Sequence, residues 1–329
     1  MMKKAIGIDI GTYNIKLIEL ENKKGRPELT RLAINRIADN DIKTALKDLL
    51  SLAKSPLKRV NVSLSGPSVI VRYIEMPPMK KDELQSAIKF EAEKYIPFSI
   101  KDSNIDCAML DKTSSGSHRV LLVAAKNDEV KKTLSLFKEA GLEVNAIDID
   151  SFAFLNCFQR LKRGAREKAD ATYGLINIGA RFSNMNIITK GNVYFTRDVL
   201  WGGDAVTTRI SDAMGIKPQE AEALKHKPGE KRQDVVSVIT PVLERLSSQV
   251  RMSFDYFESQ FGANVDKLYI SGGTAYLFNI VDFLKDNLGV DVVMWDPFED
   301  ISISASVTEN EVRQTPALFA VAVGLALRQ

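Results

Sequence analysis

A strand, glycine turn and strand pattern occurs twice in this chain, half a chain apart. Residues 8–15 read IDIGTYNI, and residues 176–183, which lie 168 positions later, read INIGARFS. In each copy, apolar residues that predict a strand lead into a glycine-centred turn and then into a second strand. Because the copies are a domain's length apart in a chain of 329 residues, the repeat predicts an α/β fold with two duplicated lobes.

The composition excludes several classes of protein. The formal net charge of +3 is too small to indicate nucleic acid as the main partner. With two cysteines and two histidines in the whole chain, disulfide frameworks and Cys/His metal clusters are excluded. The glycines form neither a G-x-G-x-x-G nor a G-x-x-x-x-G-K-[ST] pattern, so a bound nucleotide would need another kind of site.

The two ends of the chain predict a cytoplasmic protein. The apolar stretch at residues 5–8 is too short for the core of a signal peptide. The apolar run at residues 316–327 is too short to span a bilayer and predicts a buried helix. Because the sequence stops directly after that run, we expect no amphipathic membrane tether, and contact with a membrane only through partners.

The two glycine turns have the chemistry of a phosphate-binding site. Gly11 and Gly179 let the backbone approach an anion, and successive N–H groups can surround it. Side chains that donate hydrogen bonds or add positive charge follow the first turn, at Thr12, Asn14 and Lys16. Asp9 precedes that turn and could hold Mg²⁺ through water. A single hairpin of this kind would be more simply a glycine turn with a solvated carboxylate, but its duplication favours the binding site.

Five segments together resemble the motifs of the actin, sugar-kinase and heat-shock-chaperone ATPases. Residues 6–12 (IGIDIGT) resemble the first phosphate motif and residues 177–179 the second. Residues 270–275 (ISGGTA) are similar to the adenosine motif, residues 220–225 (EAEALK) to the ribose helix, and residues 202–204 to a double glycine that opens a helix. They occur in the order of that superfamily, so the resemblance implies a two-lobed actin-like ATPase with duplicated ribonuclease H-like lobes.

The resemblance also implies a set of site residues for ATP or ADP with Mg²⁺. The nucleotide contacts would be Gly11, Thr12, Tyr13, Asn14, Lys16, Gly179, Ala180, Gly202, Gly203, Glu222, Lys225, Gly272, Gly273 and Thr274. The metal contacts, made through water, would be Asp9 and Asn177. Two simpler interpretations stay open: the glycine pair 272–273 as a strand-to-helix turn, and Glu222 with Lys225 as a solvated ion pair.

The middle of the chain predicts an inserted subdomain. From Val69 to Ile149 the elements are expected in the order β-α-β-β-α-β, which resembles the relocated subdomain of the FtsA family. Residues 1–71, 150–168 and 316–329 would form the first lobe and residues 72–149 the insertion. Residues 169–315 would form the second lobe, with a helical subdomain at about 205–262. A charged stretch at 160–170 is the best candidate for a linker.

Two local segments are similar to the PilM family of type IV pilus assembly. These are residues 72–77 (RYIEMP) and 90–98 (FEAEKYIPF). The resemblance implies an adaptor at the inner membrane that binds the N-terminal cytoplasmic tail of PilN and connects it to pilus motor ATPases, with a ring or other homo-oligomer possible. Its partner groove would include Phe90, Glu91, Tyr95 and Pro97. Packing of this helix against the subdomain's own sheet is the alternative that the apolar spacing leaves open.

The sequence argues against fast hydrolysis. Most ATPases of the superfamily have aspartate where this chain has Asn177, and an amide cannot act as a base. Asp150 is the candidate water-activating residue, with Asp148 second, although either could cap the following helix. We therefore expect a nucleotide-regulated adaptor with at most slow ATPase activity. The alternatives are an FtsA-like filament-forming protein and a small-molecule kinase.

Overall fold

The computed structural model describes residues 4–112, 116–161 and 170–328. Its strands are β1 (Lys4–Ile10), β2 (Asn14–Lys23), β3 (Arg26–Arg36), β4 (Arg59–Leu64), β5 (Val69–Met76), β6 (Ser103–Lys112), β7 (His118–Lys126), β8 (Glu143–Ile149), β9 (Thr172–Ile178), β10 (Ser183–Thr189), β11 (Asn192–Val199), β12 (Lys267–Ser271), β13 (Asp291–Met294) and β14 (Ser302–Ile303).

The helices lie between groups of these strands along the chain. They are α1 (Ile42–Ala53), α2 (Lys81–Ala92), α3 (Asn127–Glu139), α4 (Asp150–Arg160), α5 (Gly203–Met214), α6 (Pro218–His226), α7 (Arg232–Phe261), α8 (Ile280–Leu288), α9 (Glu309–Gln314) and α10 (Ala320–Ala326). Short 3-10 segments cover Ile100–Asp102, Gly229–Lys231, Gly273–Tyr276 and Pro316–Phe319.

Two sheets of matching topology form the two lobes. The first has the order β14-β3-β2-β1-β4-β8, and the second has the order β11-β10-β9-β12-β13. In each, three antiparallel strands are followed by parallel pairing on the far side of the first strand. The predicted duplication is thus present in the sheets themselves. The register agrees as well, because the pairs Ile10–Ile15 and Ile178–Ser183 close the two equivalent turns.

The inserted subdomain has a separate sheet with the order β5-β7-β6. Helix α2 covers it by burying Leu84, Ile88 and Ala92 together with the inner side chains of the sheet. The elements from β5 to β8 follow the predicted β-α-β-β-α-β order. The final strand does not belong to the small sheet, however, because β8 pairs in parallel with β4. Phe137 of α3 likewise lies in the core of the first lobe. The expected boundary at residue 149 is therefore corrected to about residue 126.

The apolar run near the end of the chain is a buried helix, as predicted. Every residue of α10 is buried, and the helix packs between β1 and α4 in a hydrophobic core to which both large sheets contribute. The approach is close enough to require glycine, since a Cβ on Gly7 would lie 2.1 Å from the Ala322 carbonyl oxygen. A Cβ on Gly324 would lie 1.8 Å from the Ala153 carbonyl oxygen. This helix therefore joins the end of the chain to the strand that leads into the first glycine turn.

The second lobe contains the long helix expected after residue 234. Helix α7 buries one apolar face against the second sheet and ends where Gly262 adopts a left-handed conformation with φ of 65°. None of the helices in the described ranges is long and apolar enough to cross a membrane. Most of the predicted linker at 160–170 falls on residues 162–169, which lie outside the described residues.

Candidate functional site

The two glycine turns have the same hydrogen-bonding geometry. The Gly11 N–H donates to the Asn14 carbonyl oxygen at 3.0 Å, and the Gly179 N–H donates to the Phe182 carbonyl oxygen at 3.0 Å. A Cβ on Gly179 would lie 2.7 Å from the Phe182 carbonyl oxygen, so that turn accommodates only glycine without a shift of the backbone. The repeat seen in the sequence is therefore a repeat of two backbone turns at the ends of equivalent strands.

The first turn is surrounded by charged groups. The Lys16 ammonium lies 2.7 Å from the Asp9 carboxylate, and both side chains are largely buried. The same nitrogen is 3.4 Å from the position of a Cβ on Gly11, which places the positive charge directly beside the turn. The Lys16 ammonium therefore points towards the space beside the loop.

Asp150 lies near this pair, at the first position of α4. Burial raises the pKa of the Asp150 carboxyl to about 7, and the negative charge of Asp9 adds to the shift. The hydroxyls of Ser63 and Ser65 and the ammonium of Lys16 act in the opposite direction. The end of the first sheet therefore holds two neighbouring carboxyl groups and one lysine. Asp148, the second candidate base, instead pairs with Arg328 and anchors the end of the chain.

The second turn is bonded to the start of α5 and to the segment after β12. The Gly179 carbonyl oxygen accepts from the Gly203 N–H at 3.0 Å and from the Thr274 hydroxyl at 2.8 Å. The Asp204 N–H donates to the Ala180 carbonyl oxygen at 2.8 Å. A Cβ on Gly202 would lie 2.3 Å from that same oxygen. Two segments, the start of α5 and the segment after β12, thus meet at this turn.

A buried polar cluster lies beside this junction. Lys225, which is 3% exposed, places its ammonium 2.6 Å from the Glu222 carboxylate and 3.0 Å from the Thr207 hydroxyl. Thr207 donates to Glu222 at 2.5 Å, and the His226 ring lies 3.5 Å from the other carboxylate oxygen. Burial alone would raise the pKa of Glu222, but hydrogen bonds from His226, Lys225 and Thr207 lower it to about 2. This is a fixed, ionised cluster and differs from the solvated ion pair left open by the sequence.

The double glycine after β12 begins with a residue whose positive φ favours glycine. Gly272 has φ of +89°, and a Cβ there would meet the Ile178 carbonyl oxygen at 2.4 Å and the Asn177 side-chain oxygen at 2.7 Å. The Gly272 N–H donates to the Ala317 carbonyl oxygen at 3.0 Å. Asn177 therefore lies next to the glycine pair, and the pair is fixed to the segment that leads into α10.

Contacts between the two lobes involve the loop after β4. The Phe182 ring lies 3.8 Å from the position of a Cβ on Gly66. Asp198, on the edge strand β11, has a pKa raised by burial, while hydrogen bonds from Asn184 and from the Gly66 N–H partly oppose the rise. These contacts bring the ends of the two lobes together where the two turns lie.

Tyr13 differs from the other residues predicted for the first loop. Its side chain is 37% exposed, and its ring lies under the Arg36 guanidinium at 4.8 Å from the ring centroid. The ring therefore contacts the end of β3. Any contribution of Tyr13 to anion binding would come from its backbone.

A sequence model for the family described as "Type IV pilus assembly protein PilM" matches residues 7–329. The chain belongs to this family. In agreement, a solved structure of a PilM-PilN type IV pilus biogenesis complex superposes with a TM-score of 0.88 at 27% identity, covering 98% of this chain and 98% of that chain. The PilM resemblance drawn from residues 72–77 and 90–98 is thereby confirmed.

More distant relatives share the fold. The ethanolamine utilization protein EutJ from Carboxydothermus hydrogenoformans superposes with a TM-score of 0.59 at 16% identity, over 99% of this chain and 89% of that chain. MreB5 of Spiroplasma citri, solved bound to ADP, superposes with a TM-score of 0.53 at 13% identity, over 98% of this chain and 94% of that chain. The cell division protein FtsA of Streptococcus pneumoniae is 23% identical over 88% of this chain and 75% of that protein. The two-lobed actin-like fold is thus established for this PilM-family chain.

The helix expected to carry the partner groove has two different faces. Its buried residues complete the core of the inserted subdomain, as the alternative interpretation held. Phe90 is 77% exposed, Tyr95 and Pro97 are exposed, and Glu91 pairs with Lys94 at 2.8 Å. An open pocket of about 350 Å³ adjoins the end of this segment, lined by residues 93 and 98–101. The predicted groove residues therefore form a surface that the chain leaves open.

Sequence reasoning missed three contributors to the cleft. Thr207 lies one helical turn after Gly203, and His226 lies one turn after Glu222, so helical spacing could have indicated both. The third, Gly66, follows β4 in an ordinary turn sequence, and nothing local distinguishes it.

Proposed function

We propose that this PilM-family chain binds ATP or ADP in the cleft between its two lobes and acts as an adaptor for a membrane partner. The observation that carries the nucleotide proposal is the pair of equivalent glycine turns, each ending an equivalent strand. Such turns present backbone N–H groups to an anion, and here one of them also has the Lys16 ammonium beside it.

The remaining parts of the cleft suit the nucleoside. Glu222 is ionised and positioned by Lys225 and Thr207, so it can accept hydrogen bonds from ribose hydroxyls. The glycine pair at 272–273 lets the segment after β12 approach Ile178, Asn177 and Leu318 closely, which places the proposed base-binding segment next to the second turn. The solved MreB5 relative has ADP bound, which supports the same use of a shared fold.

Magnesium would be held through water by oxygen ligands at the ends of β1 and β9. Asp9 offers a carboxylate and Asn177 an amide oxygen, which are ligand types that Mg²⁺ accepts. Mg²⁺ would neutralise the phosphates together with the Lys16 ammonium, which lies beside the first turn. Asp150 is the residue that could take a proton from water, and the amide at position 177 cannot assist it, so hydrolysis is slow.

The partner would be the N-terminal cytoplasmic tail of a PilN-type inner-membrane protein. A PilM-PilN complex superposes over nearly the whole chain at 27% identity, which supports the same pairing here. The exposed surface around Phe90, Tyr95 and Pro97 is the proposed contact. Such binding would hold the chain, as a monomer or as a ring of copies, at the cytoplasmic face of the inner membrane. Pilus motor ATPases could contact it there. Nucleotide occupancy would modulate the affinity for the tail.

One calorimetric experiment tests both halves of this proposal. The purified chain is titrated with Mg-ATP and, separately, with a synthetic peptide of the N-terminal tail of the PilN encoded in the same organism. Saturable binding of each is expected, together with an increase in melting temperature that follows ligand concentration. Absence of ATP binding would reject the cleft assignment, and absence of peptide binding would reject the adaptor.

A further inference from the structure

The inserted subdomain is continuous in the chain with the first lobe, yet it makes polar contacts with the second. The Tyr73 hydroxyl on β5 lies 2.8 Å from the Thr196 hydroxyl on β11. A second contact lies nearby, where the Tyr194 hydroxyl donates to the Asp111 carboxylate at 3.1 Å and the Arg119 guanidinium lies 3.7 Å from the centroid of the Tyr194 ring. The edge strand of the second sheet is thus attached to the subdomain proposed to bind the partner.

The Tyr73 contact continues into the interior of the second lobe. The Thr196 hydroxyl donates to the side-chain oxygen of Asn186 at 2.8 Å, across a register pair of β10 and β11. The Asn186 amide nitrogen donates to the Ser151 carbonyl oxygen at 2.9 Å. Asn186 and Ser151 are both completely buried. We call these four residues the polar series.

The direction of every bond in the polar series is determined by its last member. A carbonyl can only accept, so the amide nitrogen of Asn186 faces Ser151 and its oxygen faces Thr196. Thr196 then uses its single hydrogen on Asn186, which leaves Tyr73 as the donor in the first bond. Burial raises the pKa of Tyr73 to about 12, so its hydroxyl keeps the proton it donates at neutral pH.

The polar series ends beside the nucleotide cleft. Ser151 directly follows Asp150, whose carboxyl interacts with Asp9 and Lys16. Thr196 and Asn186 belong to the second lobe, whereas Tyr73 and Ser151 belong to the insertion and the first lobe. A shift of β10 and β11 therefore breaks a bond of the series unless Ser151 and the inserted subdomain both move with those strands. Since a buried polar group that loses its partner is destabilising, a displacement of Ser151 that keeps the bonds intact moves β11 and the inserted subdomain with it.

We propose that the polar series Tyr73–Thr196–Asn186–Ser151 couples nucleotide occupancy of the cleft to the position of the inserted subdomain, and thereby regulates affinity for the membrane partner's tail. This inference rests on the proposed function, because it needs both ligands. Charge delivered to the cleft by a nucleotide acts on Asp150 and displaces the first turn of α4. The polar series passes that displacement through Asn186 to β11 and then to β5.

The structure supplies a matched control for this inference. Tyr194 also crosses from β11 to the inserted subdomain through its hydroxyl, but its bond to Asp111 does not connect to Asn186 or Ser151. Tyr73→Phe and Tyr194→Phe therefore each remove one tyrosine hydroxyl from the same interface. Tyr73→Phe interrupts the route to the cleft, and Tyr194→Phe does not.

The test measures the dissociation constant of the PilN tail peptide with and without a non-hydrolysable ATP analogue. In the wild type, the analogue is expected to change that constant by about fivefold or more. We call the ratio of the two dissociation constants the coupling factor. Tyr73→Phe and Thr196→Val should each bring the coupling factor close to one, while each ligand alone binds within about twofold of its wild-type affinity. Tyr194→Phe should retain the wild-type factor, and the Tyr73→Phe/Thr196→Val double variant should lose no more than either single variant.

The inference is overturned if both ligands bind and the wild-type factor is one, if Tyr73→Phe keeps the factor, or if Tyr194→Phe loses it equally. These outcomes leave the proposed function intact. If ATP binds and the peptide does not, the adaptor proposal fails by itself. Hydrogen exchange of β5 and α2 with and without the analogue then tests the coupling: a change in wild type that Tyr73→Phe abolishes supports it, and no change rejects it. A chain that binds neither ligand rejects both.

Discussion

The Lys16 ammonium lies 2.7 Å from the Asp9 carboxylate, and the same nitrogen is 3.4 Å from the position that a Cβ on Gly11 would occupy. One buried cation therefore serves both the carboxylate before the first turn and the space beside the turn itself. A phosphate entering that space would meet a positive charge already positioned, and Asp9 would be left to a hydrated Mg²⁺.

Gly11→Ala should weaken ATP binding by about tenfold or more. The added methyl group enters the space between the turn and Lys16, where it meets the Asn14 carbonyl oxygen at 3.0 Å. Gly25→Ala is the control, because it lies in open space at the β2–β3 turn and reports only the cost of a left-handed alanine. Calorimetric titration with Mg-ATP compares the two variants. Equal affinities would exclude the first turn from the phosphate site.

Glu222→Gln should weaken ATP binding by about 1–2 kcal/mol and leave tripolyphosphate binding unchanged. The amide keeps the shape of the side chain but removes the charge that holds Lys225 and accepts hydrogen bonds from a ribose. Glu220→Gln on the same helix is the control, since that carboxylate is exposed and lies 3.8 Å from Lys231. A parallel loss of affinity for both ligands would contradict a ribose contact at Glu222.

Asp150→Asn should stabilise the chain more at pH 7.5 than at pH 5. The folded pKa of Asp150, about 7, lies above its ordinary value of 3.8, so the folded state holds a proton that the unfolded state has released. The stability that this proton contributes is lost as pH rises from about 4 through 7. Asparagine does not ionise, so its advantage over aspartate should grow by about 2 kcal/mol across that interval. Urea unfolding of both proteins at both pH values measures it, and an advantage that does not change with pH contradicts the burial of Asp150 beside Asp9.

Phe90→Ala should weaken binding of the PilN tail peptide by about 1–2 kcal/mol without changing the affinity for ATP. Its side chain is exposed, so the truncation removes contact area for a partner and costs the fold little. Met252→Ala is the control, an exposed apolar side chain on α7 of the second lobe. Fluorescence anisotropy with a labelled peptide separates the two variants, and equal peptide affinities would remove Phe90 from the groove.

Local patterns predicted the parts of the fold that repeat or are strongly apolar. The two hairpins were found because Gly11 and Gly179 occupy the same place in two copies of one pattern. Residues 316–327 predicted a buried helix because they carry no charge, and α10 is completely buried. In both cases the local sequence and the tertiary packing favour the same structure, so the local pattern is sufficient to predict it.

Sequence alone failed where partners come from distant segments. Strand β8 looks like the last strand of the inserted subdomain, but its parallel partner β4 is 84 positions earlier in the pair Arg59–Glu143. The bond between Tyr73 and Thr196 joins residues 123 positions apart. Neither contact can be predicted from local sequence. An apolar strand can pair with either of two sheet edges, and tertiary packing selects between them.

The central claim is that two duplicated turns form one nucleotide site between the lobes. A crystal structure of the chain with a non-hydrolysable ATP analogue and Mg²⁺ tests it most directly. We expect the phosphates between the Gly11 and Gly179 turns and the ribose against Glu222. A nucleotide bound elsewhere, or an unoccupied cleft at saturating analogue, would contradict it.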